Sequence, residues 1–101
     1  MFQTRQGDLF FEEVKELPKE AKVRQSKVLA YGEVTGHSHT LVGDYVEVYE
    51  DADAVYHRGK GVSVVHEEHD KVDFPNDSWI KTTRQREYDP IAKEKERKVA
   101  D

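Results

Sequence analysis

The chain has 101 residues, of which 37% are charged and 36% hydrophobic, with a formal net charge of −5 and no cysteine. This length fits one domain with a small core, and the lack of cysteine excludes disulfides and zinc sites built on thiolates. The acidic balance argues against broad nucleic-acid binding. The chain also has no apolar run long enough to cross a bilayer, so we expect no membrane contact and a cytoplasmic location.

Short β-prone segments alternate with turn residues along most of the chain, at spacings of about ten residues. The segment 45–50 alternates apolar and polar residues, which is typical of a half-buried strand. The pattern predicts an all-β fold, a small barrel or sandwich of about seven or eight short, mainly antiparallel strands. The predicted strands are 8–14, 23–31, 39–42, 45–50, 54–57, 62–66 and 79–88.

The C-terminal residues differ in composition from the rest. Residues 91–101 are rich in Lys, Glu and Arg, which favour helix, but they offer almost no apolar face for packing. We therefore expect a single β domain over 1–90 and a charged helical or disordered tail over 91–101.

Two histidine pairs hold four of the five histidines, and each pair lies at the end of a predicted strand. His37 and His39 are alternate residues, so they point to the same face if the strand continues through them. His66 and His69 can face one point if the chain turns between them. Neutral imidazole suits transition metals, so the four histidines predict a site for a divalent ion such as Zn, Mn, Fe or Ni.

Carboxylates lie close to these histidines in the sequence, at Glu33, Glu67 and Glu68. Two or three histidines with one carboxylate and an open coordination position are typical of catalytic zinc or non-haem iron. The alternative is that the histidines are exposed loop residues and the glutamates are surface charges. His57, next to Arg58 at a predicted turn, is expected at the surface.

A second polar cluster lies on the last predicted strand, where Arg84, Arg86 and Tyr88 would share one face. Two guanidinium groups at this spacing can bind a carboxylate or phosphate, and the tyrosine can add a hydroxyl group. The alternative is a set of ion pairs with acidic residues on neighbouring strands, among them Asp8. We expect the segment 5–11 beside this strand, because small sheets often pair late strands with early ones.

The order Gly32-x4-His37-x-His39, followed by strands and a later histidine, resembles the metal motif of cupins. Cupins are small double-stranded β-helix barrels, and their metal ligands are histidines and one carboxylate. The resemblance implies that the carboxylate ligand lies near Asp44.

The chain also resembles a group of short bacterial and phage proteins over nearly its full length. The resemblance rests on Arg-Gln-Gly-Asp at 5–8, Gly-Glu-Val-Thr-Gly-His-x-His at 32–39 and Arg-Gln-Arg-Glu-Tyr-Asp-Pro at 84–90. It implies no particular activity.

These observations favour a small metal-binding β-barrel protein with a histidine-rich site, hydrolytic on a small-molecule or phosphate-bearing ligand. The rival hypothesis is a non-enzymatic, phage- or host-associated module that binds a protein partner or a second copy of the chain. The two differ in whether a stoichiometric metal ion is needed.

Overall fold

The computed structural model describes residues 1–31 and 37–84, where it has ten β-strands and no helix. The strands form two antiparallel sheets, so the prediction of an all-β fold is confirmed. The described residues accordingly contain no helix able to span a membrane. The strands are β1 Gln3–Gln6, β2 Leu9–Val14, β3 Lys22–Val23, β4 Val28–Tyr31, β5 Ser38–Val42, β6 Tyr45–Glu50, β7 Val55–Lys60, β8 Ser63–Val65, β9 Val72–Asp73 and β10 Trp79–Arg84.

The larger sheet has the order β1-β2-β10-β7-β6-β3 and the smaller sheet the order β4-β5-β8-β9. Alternate residues of the strands point inward, and the core combines both sheets. Phe11 and Ile80 of the larger sheet and Val64 of the smaller one have no exposed surface. Of the two predicted architectures, the described strands adopt the two-sheet one, a sandwich.

The pairing of β5 with β8 decides where the histidines lie. The two strands are antiparallel, with Thr40 opposite Val65 and Val42 opposite Ser63. The beginning of β5 and the end of β8 are therefore at the same end of the smaller sheet. His37 and His39 belong to that beginning, and the segment with His66 and His69 follows that end.

The early and late strands are neighbours in the larger sheet, as predicted. β2 pairs with β10 along its full length, from Trp79 opposite Val14 to Arg84 opposite Leu9. β1 pairs with β2 through a two-residue turn at Gly7 and Asp8. Gly7 has φ 62°, a left-handed conformation that glycine adopts without steric cost.

Two predicted boundaries are wrong. The strand predicted over 23–31 is two strands, because the chain leaves the larger sheet after β3 and enters the smaller sheet at β4. Residues 58–60, predicted as a turn, continue β7. Glycine is required at position 59 of this strand, because the Tyr45 carbonyl approaches too closely to leave room for a Cβ. The end of the last predicted strand, 85–88, and the tail 91–101 lie outside the described residues.

Candidate functional site

The four histidines of the two pairs meet in one cluster. The ring centroids are 4.3 Å apart for His39 and His66, 4.6 Å for His66 and His69, 5.7 Å for His37 and His66, and 5.8 Å for His39 and His69. Two imidazoles that bind one tetrahedral ion, through nitrogens about 2.0 Å from it, have centroids about 5 Å apart. The prediction that the two pairs lie together is confirmed, whereas metal binding stays a prediction.

His39 is the most enclosed member of the cluster, with 3% of its surface exposed. The amide nitrogen of the buried Gln6 donates hydrogen bonds to the carbonyls of Val64, at 3.1 Å, and Asp70, at 2.8 Å. The amide oxygen of Gln6 must therefore face His39, whose Nδ1 lies 2.8 Å away and donates its proton. This arrangement leaves the lone pair of His39 on Nε2, the atom available to a metal ion.

The protonation state of His39 follows from its surroundings. Burial lowers its pKa to about 4, and the neighbouring His66 adds to the effect while the Asp8 carboxylate opposes it. His39 is consequently neutral at pH 7. Metal ions bind the neutral imidazole, so at pH 7 no proton competes with an ion for His39.

The turn between β1 and β2 forms a further wall of the cluster. A Cβ on Gly7 would lie 2.9 Å from His69 Nε2 and 3.1 Å from His39 Cε1, so the turn approaches both rings closely. Asp8 Oδ1 lies 4.0 Å from His39 Nε2, and Asp8 Oδ2 accepts a hydrogen bond of 2.8 Å from Arg84 Nε. The hairpin tip, residues 6–8, was not predicted as part of the histidine site. The only indication in the sequence is that Gly7 lies between two polar residues, Gln6 and Asp8.

The exposed side of the cluster carries two acidic residues, as the sequence predicts. His37, His66 and Glu67 each offer a ligand atom within 4.8 Å of the others. Glu67 also accepts a hydrogen bond of 3.0 Å from the Ser38 backbone, which lowers its pKa. Glu68 Oε2 lies 3.6 Å from His37 Nδ1. The predicted alternative carboxylate, Glu33, lies outside the described residues.

His66 is placed at the centre of the cluster but is not ready to bind an ion. Its Nδ1 accepts a hydrogen bond of 3.0 Å from the Glu68 backbone. The neutral ring therefore carries its proton on Nε2. Binding through either nitrogen would require His66 to lose this hydrogen bond or to move its proton. His39 has no such cost.

The predicted arginine cluster is described only in part. Arg84 pairs with Asp8, which is the ion pair considered as the alternative to ligand binding. Arg86 and Tyr88 lie outside the described residues. Asp44, the carboxylate implied by the cupin resemblance, follows β5 at the end away from the histidines, where its backbone donates to the Lys60 carbonyl at 3.1 Å. The cupin resemblance stays a prediction.

The expectation that His57 lies at the surface is wrong. His57 is 1% exposed and packs edge-on against Phe74, with 4.6 Å between ring centroids. Its strand position explains this, because it is opposite Val48 and Ile80 on the core-facing side of the sheet. Burial lowers its pKa to about 4, and neither ring nitrogen has a hydrogen-bond partner in the described part of the chain.

A cleft of about 480 Å³ is lined by residues bonded or paired to members of the cluster, although none of the four histidines lines it. Leu9 follows Asp8, Ala30 pairs with His39, and Arg84 binds Asp8. Asp51 and Asp53 line another part of it.

A family model described as a domain of unknown function (DUF8820) matches residues 5–85. The matched range contains the hairpin tip and both histidine pairs. No curated protein and no solved structure matches the chain.

Proposed function

The chain belongs to the DUF8820 family, and we propose that it binds one divalent transition metal ion within the cluster formed by His37, His39, His66 and His69. The observation that carries this proposal is His39, a buried neutral imidazole whose lone pair is fixed on Nε2 by Gln6 and whose ring lies beside those of His66 and His69. A donor set of imidazoles suits zinc, iron or nickel better than manganese, which prefers oxygen ligands.

The support from Gln6 distinguishes this proposal from the rival interaction module. Metal-binding histidines usually donate their second ring proton to a fixed acceptor, which sets the tautomer. Gln6 provides such an acceptor, and its amide is itself held by two carbonyls. A loop that contacts a protein partner needs no buried imidazole in a fixed tautomer.

The cleft favours a second candidate function, metal-assisted hydrolysis of a small molecule. An ion with histidine ligands and an open position can lower the pKa of bound water to about 7. Asp51 and Asp53 line the cleft, and Arg84 is already paired with Asp8. These charges favour a neutral or cationic substrate over a phosphate-bearing one.

The test of metal binding is calorimetric titration of untagged, chelator-treated protein with Zn²⁺, Ni²⁺ or Mn²⁺ at about pH 7.5, where imidazole is neutral. We expect one ion per chain. At an ion concentration of 100 times Kd, binding should raise the free energy of unfolding by about 2.7 kcal/mol. His39→Ala should abolish most of this gain.

His57→Leu is the matched control, because it also removes one buried histidine but leaves the cluster intact. It should keep the metal-dependent gain in stability. If the melting temperature of the wild type is unaffected by metal ions and by chelator, the proposal is wrong and the interaction module takes its place.

A further inference from the structure

The cluster offers two positions for an ion. We call His39, His69 and Asp8 the inner subsite, and His37, His66 and Glu67, whose ligand atoms lie within 4.8 Å of one another, the outer subsite. We propose that the ion binds in the inner subsite and that Asp8 is its carboxylate ligand. This inference rests on the proposed metal binding and specifies which residues carry it.

The distance between the two ligand atoms supports the inner position. His39 Nε2 and Asp8 Oδ1 are 4.0 Å apart. Two ligand atoms that each lie about 2.0 Å from an ion are at most about 4 Å apart. At this separation an ion between the two atoms would be coordinated linearly, so the Asp8 carboxylate must move inward by about 0.7 Å to give tetrahedral angles.

Arg84 orients the Asp8 carboxylate for this role. Its Nε donates to Oδ2 at 2.8 Å, which leaves Oδ1 as the oxygen on the side of His39. Ligating carboxylates are commonly held by such a hydrogen bond to their second oxygen.

The third ligand, His69, lies against the hairpin tip. Its Nε2 is the atom nearest to the position that a Cβ of Gly7 would occupy, at 2.9 Å. Asp8 follows Gly7 directly in the turn. The close approach of the turn thus places the Nε2 atom of His69 beside the residue that carries the carboxylate.

The outer subsite has ligand atoms within 4.8 Å of one another, but one of its histidines is already engaged in a hydrogen bond. Glu67 Oε1 accepts a hydrogen bond from the Ser38 backbone at 3.0 Å, and His66 Nδ1 accepts one from the Glu68 backbone at 3.0 Å. The second oxygen of Glu67 stays available, but binding through His66 would break its hydrogen bond or require its proton to move.

The test compares Asp8→Asn with Glu67→Gln, both of which remove a charge with little change of shape, and with Glu68→Gln as the matched control. Zn²⁺ affinity is measured by competition with a chromophoric chelator, and the Co²⁺ derivative is followed by its visible absorption spectrum. We expect Asp8→Asn to weaken Zn²⁺ binding by about 100-fold and to change the Co²⁺ spectrum. Glu67→Gln and Glu68→Gln should leave both almost unchanged.

Loss of folding is tested separately, by circular dichroism and thermal unfolding without metal. Arg84→Gln provides a second variant, since it keeps the Asp8 ligand but removes the group that orients it. Its affinity should fall by about 10-fold, with the Co²⁺ spectrum retained.

The possible results separate the inference from the proposed function. Wild-type affinity in Asp8→Asn overturns the inference, whether or not Glu67→Gln loses binding, and leaves the proposed metal binding intact. The absence of binding in the wild-type protein overturns both. A loss confined to Asp8→Asn and Arg84→Gln, with each variant folded, supports the inner subsite.

Discussion

His39 and His57 are two buried histidines with different surroundings. They are 3% and 1% exposed, and the pKa of each is lowered to about 4. His39 donates to a fixed amide oxygen, and its second nitrogen lies 4.0 Å from a carboxylate oxygen of Asp8, with two other imidazole rings nearby. His57 contacts Phe74, and its nitrogens are without partners in the described residues. Burial and a lowered pKa are therefore common to both histidines, whereas only His39 has a fixed tautomer and neighbouring imidazoles.

The largest expected effect is the loss of folding stability at low pH, which we attribute to His57. Because its folded pKa is about 4, the unfolded chain takes up a proton as the pH falls below about 6.5 while the folded protein does not. The free energy of unfolding therefore decreases between about pH 6.5 and pH 4, and His39 acts in the same direction. For His57 the loss between pH 7 and pH 4 is about 3 kcal/mol.

His57→Leu should remove this loss. Leucine buries no polar nitrogen, so stability at pH 7 should be unchanged or slightly higher, and the gain over wild type should grow as the pH falls. Urea unfolding at several pH values measures it. A variant whose stability falls with pH as steeply as that of the wild type would show that His57 does not titrate as described.

The second prediction concerns His39, through its hydrogen-bond acceptor Gln6. Gln6→Leu removes the acceptor of His39 Nδ1 and the donor to two carbonyls, so we expect a loss of about 2 kcal/mol in the free energy of unfolding. Zn²⁺ affinity should fall by about 10- to 100-fold, because the tautomer is no longer fixed. The ring nitrogen chemical shifts of His39 in the metal-free protein report that tautomer directly.

Gln3→Leu is the control for this substitution, since Gln3 lies on the same strand and is exposed. It should leave both the stability and the Zn²⁺ affinity near those of the wild type. Should the His39 tautomer be the same in Gln6→Leu as in the wild type, the role assigned to Gln6 would be wrong.

The smallest effect is expected from two glycines that share a backbone conformation. Gly7 and Gly61 both have φ 62°, so alanine at either position should cost about 1 kcal/mol of stability. At Gly61 the new Cβ meets the end of the exposed Asp44 side chain at 3.0 Å, which can move away. At Gly7 it meets the rings of His39 and His69.

Gly7→Ala should therefore weaken Zn²⁺ binding, whereas Gly61→Ala should not. Thermal unfolding with and without Zn²⁺ measures both effects on the same samples. Equal metal-dependent gains in the two variants would mean that the hairpin tip does not contribute to the site.

The local pattern was sufficient to predict strands and the histidine pairs, because alternation and turn residues act over a few neighbouring positions. It was insufficient for residues 58–60. This segment has a glycine between two charged residues, which is typical of a turn, but it continues a strand. The segment 23–31 was misjudged for a related reason. Nothing in its local pattern indicates that the chain passes from one sheet to the other.

The amino-acid sequence alone determined that the chain is all-β, that it lacks thiolate ligands, and that two histidine pairs lie at strand ends, because these properties depend on composition and short-range periodicity. The tertiary structure decided which polar residues meet. Gln6 lies 33 positions from His39, and Asp8 lies 76 positions from Arg84, yet each pair is joined by a hydrogen bond of 2.8 Å. The tertiary structure also placed His57 in the core. Such contacts depend on how the strands pair across the two sheets, and sequence spacing does not specify that pairing.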